Sequence, residues 1–557
     1  MNMRNIKYIV YFFVASLLTA SCNKQIQEKQ VDPNRPTSVP PYLILGTVLT
    51  DMSGRGTQGN LGASSGTSEG VDSWGYVAQW NQYHCQNYNY YGNNIYSWTT
   101  VGVNPDGTNP GPFNSYLVLK NVVQMEKEVT SRGGSAVNPY EAIGRFVRAY
   151  YYYNLTMMYG DVPQADAVEQ GKSKPAYTTQ ESVFLYVLNQ LDTANSHFAS
   201  LIASSDNSLS TSQDIYYGGD ITKWQKLVNS FKLRVLINLS NKANDAVLNV
   251  PNQFANIIGN PSKYPIFGGQ EDDLAFVYNP GGKNAYSTYP FNPSNFGSIA
   301  ARFNMAYTYV NVMTMLNDAR VFVTCEPAWA LVGNDPQPAQ FKYFIGASSG
   351  EALGTMYANA SANLYSFINR NRYYSNFTGE PNVLVGYKEM CFNIAEAITR
   401  GWVPGNAETW YKLGITSSFA FYGIDITKPG FTAYFLPPGA NSVSQVGPYP
   451  VTFDFTTYYA QPAVQLSGTQ ATAIDQIVLQ KYIACFQNSG YEGYYNFRRT
   501  GVPVFQAGSG IGNNGVIPLR WAYPVSEQTQ NKTNWSAALA AQGYGADDLN
   551  QTMWVLK

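Results

Sequence analysis

Apolar residues recur at helical spacing through two long tracts of the chain and lose that rhythm between them. In Tyr140–Tyr159, the residues Ile143, Phe146, Val147, Tyr150, Tyr153 and Met157 fall on one stripe, as a 3.6-residue period requires. Gly160 and Pro163 stop that helix. Tyr42–Leu49 predicts an earlier core-facing helix, and Phe113–Val129 a second. Farther on, Phe184, Val187, Leu188, Leu191, Ala194 and Phe198 make the buried face of a helix, with Thr178 and Glu181 spaced as a capping box. Asp220 opens another, whose apolar side is Trp224, Leu227, Val228, Phe231 and Val235. Helical patterning returns in GYKEMCFNIAEAITRGW, NAETWYKLGITSSFAFYGI and AIDQIVLQKYIACFQ.

Between these tracts Gly, Pro, Asn and Tyr dominate, and only Ser298–Asp318 predicts a helix. The tail from Gly490 reads as loops and short turns. Helix pairs at close to 40-residue spacing resemble tetratricopeptide stacking, without that repeat's consensus letters. The predicted fold is therefore mainly α: tetratricopeptide-like helix pairs carrying a large irregular, loop-rich region. The predicted organisation is residues 1–21 as a signal peptide, 22–41 as a tether and 42–557 as one domain. Within that domain the helical scaffold spans about 42–250 and 383–490, and the loop-rich parts are about 251–382 and 491–557.

The N-terminus changes the picture. Arg4 and Lys7 precede an apolar run from Tyr8 to Ala20, too short to span a bilayer and suited to a secretory signal. It ends in LLTASC, where Ala20 and Ser21 stand before Cys22 as a lipoprotein peptidase requires. Leu18 lies one place farther from the cysteine than the common lipobox puts it. Cys22 is thus the expected lipidation site, and polar CNKQIQEKQ the tether. The acyl chains would hold the protein to a membrane.

Lys+Arg 35 against Asp+Glu 36 leaves a net charge of −1, with no basic stripe, so nucleic acid is not an expected partner. Charged residues are only 13%, against about 25% in typical soluble domains. With 44 Tyr, the surface meets water through amides and hydroxyls, which suits neutral polar ligands. Cys85, Cys325, Cys391 and Cys485 show no zinc spacing. Two disulfides are open to an exported chain, but Cys391 and Cys485 lie in apolar helical patterns and read as buried thiols.

Catalytic signals are thin. Of the two histidines, His84 and His197, the second ends an amphipathic helix and reads as structural. GASSG at Gly62–Gly66 and again at Gly346–Gly350 matches GxSxG, but neither has the strand before and helix after that a nucleophile elbow needs. Glu271, Asp272 and Asp273 read as a solvated turn, with a Ca²⁺ ligand set as the rarer alternative. No catalytic residue, metal ligand or cofactor is assigned.

The stretch Val71–Trp98, VDSWGYVAQWNQYHCQNYNYYGNNIYSW, holds nine aromatic rings among amides and glycine and follows neither the helical nor the strand period. Rings can cover the C–H faces of a sugar while amides bond its hydroxyls, and peptides could use the same groups. The candidate ligand-binding residues are Asp72, Trp74, Trp80, Asn81, Tyr83, Tyr88, Tyr90 and Trp98, with Gln82 and Asn87 beside them. About half of these rings are expected to pin the loop to the scaffold instead.

Six segments in order resemble the SusD/RagB family of Bacteroidetes outer-membrane lipoproteins, in its SusD-like branch. They are DPNRPTSVPPYLIL; the YGD-V-P turn at Tyr159–Pro163; the D…KW…N…KLR helix through Asp220, Lys223, Trp224, Asn229, Lys232, Leu233 and Arg234; EMCFNIAEAITRGW; the QK…E…RRTG.P segment through Gln480, Lys481, Glu492, Arg498, Arg499, Thr500, Gly501 and Pro503; and IPLRWAYPVSEQTQN. The resemblance implies four tetratricopeptide-like helix pairs with an irregular loop region. It also implies a SusC-like TonB-dependent transporter as partner, over which the lipoprotein acts as a lid. Those motifs are mostly scaffold and do not place the ligand. The expected function is non-enzymatic: capture of an oligosaccharide, or of a peptide, at the outer membrane and delivery to the transporter. The rival classes are a surface glycoside hydrolase and a purely structural lid. In this phylum acidic residues close behind the acylated cysteine often mark surface export. Here the first is Glu28, so exterior display rests on the resemblance.

Overall fold

The computed structural model describes residues 38–53, 76–88, 96, 111–279, 293, 296–297 and 300–557. The signal, Cys22, Asp72, Trp74, Tyr90, Trp98 and the first GASSG lie outside the described residues.

Five helices run in succession through the first tract: α1 (Pro41–Met52), α2 (Ser115–Ser131), α3 (Pro139–Tyr159), α4 (Gln180–Ala203) and α5 (Ile221–Asn238). Each packs on the next. Local chemistry sets their ends. The Asn138 side chain accepts from the Glu141 N–H at 3.0 Å, with Pro139 in the first turn. Gly160, at φ 90°, ends α3 in a conformation side chains resist. Asp220 caps α5 by accepting from the N–H groups of Thr222 and Lys223 at 2.9 and 3.3 Å. The cap of α4 is Thr179, not Thr178 as predicted. Thr178 is committed to a two-residue ladder with Val162, so the helix opens one residue later.

The middle region is irregular but tightly pinned. Its strands are β1 (His84–Gln86), β2 (Leu274–Phe276), β3 (Phe303–Met305), β4 (Asn382–Val385), β5 (Gly430–Phe435) and β6 (Gly447–Thr452). They form antiparallel pairs, β1 with β3, β2 with β4, and β5 with β6. The helix predicted over Ser298–Asp318 is only α6 (Tyr307–Met315). Phe303, Asn304 and Met305 are all buried and lie in register with β1, while the Met305 N–H donates to the Ser366 carbonyl and the Met305 carbonyl accepts from the Ala347 N–H, each at 2.8 Å. A further short helix, α7 (Leu353–Ser361), lies within this region.

The second helical tract comprises α8 (Tyr387–Thr399), α9 (Ala407–Phe421), α10 (Gln470–Ala484) and α11 (Glu492–Thr500). The predicted loop character of the tail fails at α11 and again at Lys532–Ala541. Long-range bonds hold α11: the Tyr153 hydroxyl donates to Glu492 Oε1 at 2.7 Å, and Asn238 Nδ2 to Glu492 Oε2 at 3.1 Å.

The two tracts meet where α5 packs on α8. There the buried Arg234 guanidinium grips Glu389, and its Nη2 also donates to the Leu384 carbonyl at 2.8 Å. Arg499 pairs with Glu396, Nη2 to Oε2 at 2.9 Å, and Arg498 donates to the carbonyls of Leu519 and Met157 at 2.7 Å. The charged motif residues are thus scaffold joints. Such buried pairs tolerate loss of neither partner, because the survivor is left charged and dry. Cys85, Cys325, Cys391 and Cys485 are all buried free thiols.

Candidate ligand-binding face

Much of the aromatic stretch turns inward. Trp80 stacks on Tyr491 at 5.3 Å and meets Trp521 edge-on at 5.4 Å. Asn81 Nδ2 donates to the Gly490 carbonyl at 2.8 Å, and its Oδ1 accepts from the Tyr494 N–H at 2.8 Å. Tyr83 stacks on Tyr482 at 4.7 Å and donates to that residue's carbonyl at 2.9 Å; burial raises its phenol pKa. All three are at most 2% exposed. Trp80, Asn81 and Tyr83 therefore stitch the N-terminal part of the domain to its C-terminal part and offer no surface to a ligand. Gln82 and Asn87 are buried too. Gln82 Oε1 accepts from Thr308 Oγ1 at 2.6 Å, and Asn87 Nδ2 donates to Asn304 Oδ1 at 2.9 Å.

Tyr88 differs. Past the end of the β1–β3 ladder, the Asn87 N–H still donates to the Arg302 carbonyl at 2.9 Å. This brings the next side chain, Tyr88, beside Arg302, whose guanidinium carbon sits 4.3 Å from the ring centroid. Tyr357, on the exposed side of α7, meets Tyr88 at 6.3 Å in an edge geometry. Its neighbour Met356 is fully buried against Cys85, Ala306 and Ala347. That small apolar floor ties β1 and α7 to the segments carrying Ala306 and Ala347. Burial pushes the Cys85 thiol up to about 12, so it acts as an apolar filler.

Polar groups share the same floor, against which Tyr365 packs. Asn359 Nδ2 donates to the Tyr365 hydroxyl at 2.9 Å, which donates to Glu351 Oε2 at 2.9 Å. Glu351 Oε1 has no hydrogen-bond partner among the described residues, and burial raises the carboxyl pKa. Arg302, Glu351, Tyr357, Asn359 and Tyr365 were all missed from sequence. The signal that marks them is compositional: YANASANLYSF, from Tyr357, repeats the ring-and-amide mixture of Val71–Trp98. A cleft of about 430 Å³ adjoins the same floor, lined by Tyr307, Asn311, Met315, Phe341 and Ile345.

The remaining motifs are structural. The second GASSG packs its Gly350 against the tail; a Cβ there would lie 2.1 Å from the Ala507 carbonyl oxygen. It is a close backbone approach rather than a flexible loop. The expected solvated acidic turn holds only for Glu271. Asp272 is buried, pairs with Lys226 at 2.9 Å and accepts from the Gly268 N–H at 2.7 Å. Asp273 accepts from the Tyr387 N–H at 2.6 Å at the start of α8. His197 pairs with Glu141 at 2.6 Å. Among the described residues no group of three or more His, Cys, Asp or Glu side chains converges as metal ligands. Among them, too, no helix is long and apolar enough to cross a membrane.

Comparison with known proteins agrees with this architecture. A family model described as SusD-like, starch-binding associating with outer membrane, matches residues 63–524. A SusD homologue from Bacteroides fragilis superposes with a TM-score of 0.75 at 27% identity, covering 93% of this chain and 100% of its own. A Bacteroides vulgatus outer membrane protein described in terms of nutrient binding gives 0.72 at 26%, with the same coverage. A chitin-binding SusD homologue from Flavobacterium johnsoniae shares the fold, at 0.67 and 17% identity over 92% of this chain and 99% of its own. The sequence matches no curated protein. The chain belongs to the SusD-like family.

Proposed function

We propose that this chain is an outer-membrane lipoprotein, anchored through Cys22, that captures a neutral oligosaccharide and delivers it to a SusC-like TonB-dependent transporter. Membership of a family described as starch-binding and outer-membrane-associated supports the setting. The observation that carries the ligand class is the Tyr88–Arg302–Tyr357 platform, rings and a guanidinium with an amide and hydroxyls on the same floor. A pyranose lays its C–H face on such rings and its hydroxyls on such polar groups. Stacking of this kind contributes roughly 0.5–1.5 kcal/mol per ring beyond area burial, by analogy with aromatic pairs. Capture stays modest, which favours release to a transporter. Asp72, Trp74, Tyr90 and Trp98 are proposed to extend the surface. Glycoside hydrolysis needs two carboxylates facing one bond. Of the two carboxylates named for this surface, Asp72 and Glu351, the second has its Oε2 engaged by the Tyr365 hydroxyl, which favours binding over cleavage.

The test is a panel of neutral oligosaccharides and peptides presented to the full chain, followed by product analysis. The expected result is binding to a subset of the glycans with every ligand recovered intact. Binding to peptides alone, or recovery of cleaved glycan, would overturn the reading.

A further inference from the structure

A second hollow, sharing no residue with the platform, runs along β5, where Phe431, Thr432, Ala433 and Tyr434 line it. Its volume is about 380 Å³, within the roughly 300–1,000 Å³ of small-ligand sites. Alternation along β5 turns Ala433 and Phe435 into the core and Thr432 and Tyr434 outward. Tyr434 is 45% exposed, a ring laid open at the rim. Another wall is the single helical turn Arg370–Tyr374 with its cap Asn369, which brings Asn371 and Arg372 to the hollow.

These wall residues divide their work. Asn369 is fully committed: Nδ2 donates to the Tyr434 carbonyl at 3.1 Å, and Oδ1 accepts from the Arg372 N–H at 3.1 Å. It clamps the turn to the strand, so the hollow is preformed. The Asn371 amide makes no hydrogen bond among the described residues. Arg372 gives Nε to Glu380 at 2.7 Å and Nη2 to the Phe421 carbonyl at 3.3 Å, while its Nη1 makes no hydrogen bond among them. Glu380 cancels the charge of Arg372 at the wall. A carboxylate ligand would have to compete with Glu380, and a cation would meet the guanidinium. What fits is an uncharged molecule with both an apolar face and hydroxyls.

A neighbouring hollow of about 590 Å³, lined by Gln270, Ser417 and Asp425, shares Gly423 and Ile424 with this one. Gly423 has φ +76°, and a Cβ there would meet no atom within 4 Å. The two hollows are thus separated by a low backbone saddle with no side chain at its glycine.

We infer that the Asn371–Arg372–Tyr434 hollow is a second binding site for a neutral polyhydroxylated ligand, and that a longer sugar chain crosses the Gly423 saddle into its neighbour. The inference rests on the glycan-binding reading above and adds a site that shares no residue with the platform. Tyr434 supplies the ring face; Asn371 and Arg372 Nη1 supply the polar contacts.

The experiment is calorimetry on the full chain with the neutral oligosaccharide that binds best on a neutral glycan array, at two chain lengths. Three proteins are compared: wild type, the Asn371→Ala/Tyr434→Ala double variant, and Thr432→Trp, which fills the hollow from the exposed face of β5. Thermal unfolding confirms that each variant is folded. The expected result is two sites per wild-type chain, with one weakened at least fivefold in both variants and the other unchanged, and a larger loss for the longer chain. A wild-type protein with one site, unaffected by either variant, would overturn this inference and leave the platform standing. A wild-type protein that binds no glycan on the array would overturn both.

Discussion

The guanidinium carbon of Arg302 lies 4.3 Å from the centroid of the Tyr88 ring. The two residues are far apart in sequence and meet because β1 and β3 pair antiparallel with His84 opposite Met305 and Gln86 opposite Phe303. A cation over a phenol contributes about 0.5–1 kcal/mol at an exposed site. Its larger consequence is orientation: the ring is held in one plane beside Tyr357, over a floor that cannot shift without disturbing Cys85, Ala306, Ala347 and Met356. A ligand therefore meets a surface whose ordering cost has largely been met by folding.

Trp80→Ala should act on stability rather than on binding. The indole is 2% exposed and packed on Tyr491 and Trp521, so its loss leaves a cavity. Denaturant unfolding should show a loss of about 3–5 kcal/mol, with glycan affinity of the folded variant unchanged. A stable variant with weakened binding would return Trp80 to the ligand surface.

Glu396→Gln should weaken the joint at α11 in a pH-dependent way. Burial opposes ionisation of Glu396, but the charge and hydrogen bonds of Arg499, helped by Arg400, outweigh it and hold the carboxyl at about 2. A folded-state pKa below the unfolded value near 4.5 stabilises fully above that value and fades as pH falls toward 2. At pH 7 the variant should be about 3–5 kcal/mol less stable, because Arg499 is left buried and poorly paired. The gap from wild type should narrow between pH 4.5 and 2. Unfolding midpoints across that range measure it, and a constant gap would contradict the assignment.

How far the sequence reveals this structure depends on the range of the interaction. Caps and stripes are local, so Asp220, Gly160 and the helices they bound are legible. The choice between Thr178 and Thr179 is not, because it depends on pairing with Val162. Trp80, Asn81 and Tyr83 look like an exposed ring-and-amide loop, since their partners Tyr491, Gly490 and Tyr482 lie about 400 residues away. Tyr88 is a candidate from sequence, but Arg302 and Tyr357 come from segments without periodicity. Only strand pairing and the buried Met356 bring them to it.

His84→Leu should flatten stability in mildly acidic solution. Burial lowers the imidazole from 6.5 to about 3, and Nδ1 has no hydrogen-bond partner among the described residues. The folded state thus favours the neutral ring. Its contribution is complete above pH 6.5 and is lost as pH falls toward 3. Between pH 6.5 and 5 the wild-type unfolding midpoint should fall more steeply than that of the variant. Every other group that titrates there is common to both proteins and cancels in the difference. Parallel curves would show that His84 does not titrate as its burial requires.

The central claim is that a partly exposed ring platform, with Tyr357 at its open side, binds a neutral glycan. Calorimetric titration of the full chain and its Tyr357→Ala variant, using a glycan bound by the wild type, tests it most directly. Tyr357 is 39% exposed, so its removal should leave the unfolding midpoint unchanged. The account predicts a Kd raised about 3- to 10-fold, the loss of one stacked ring. An unchanged Kd in the folded variant would contradict it.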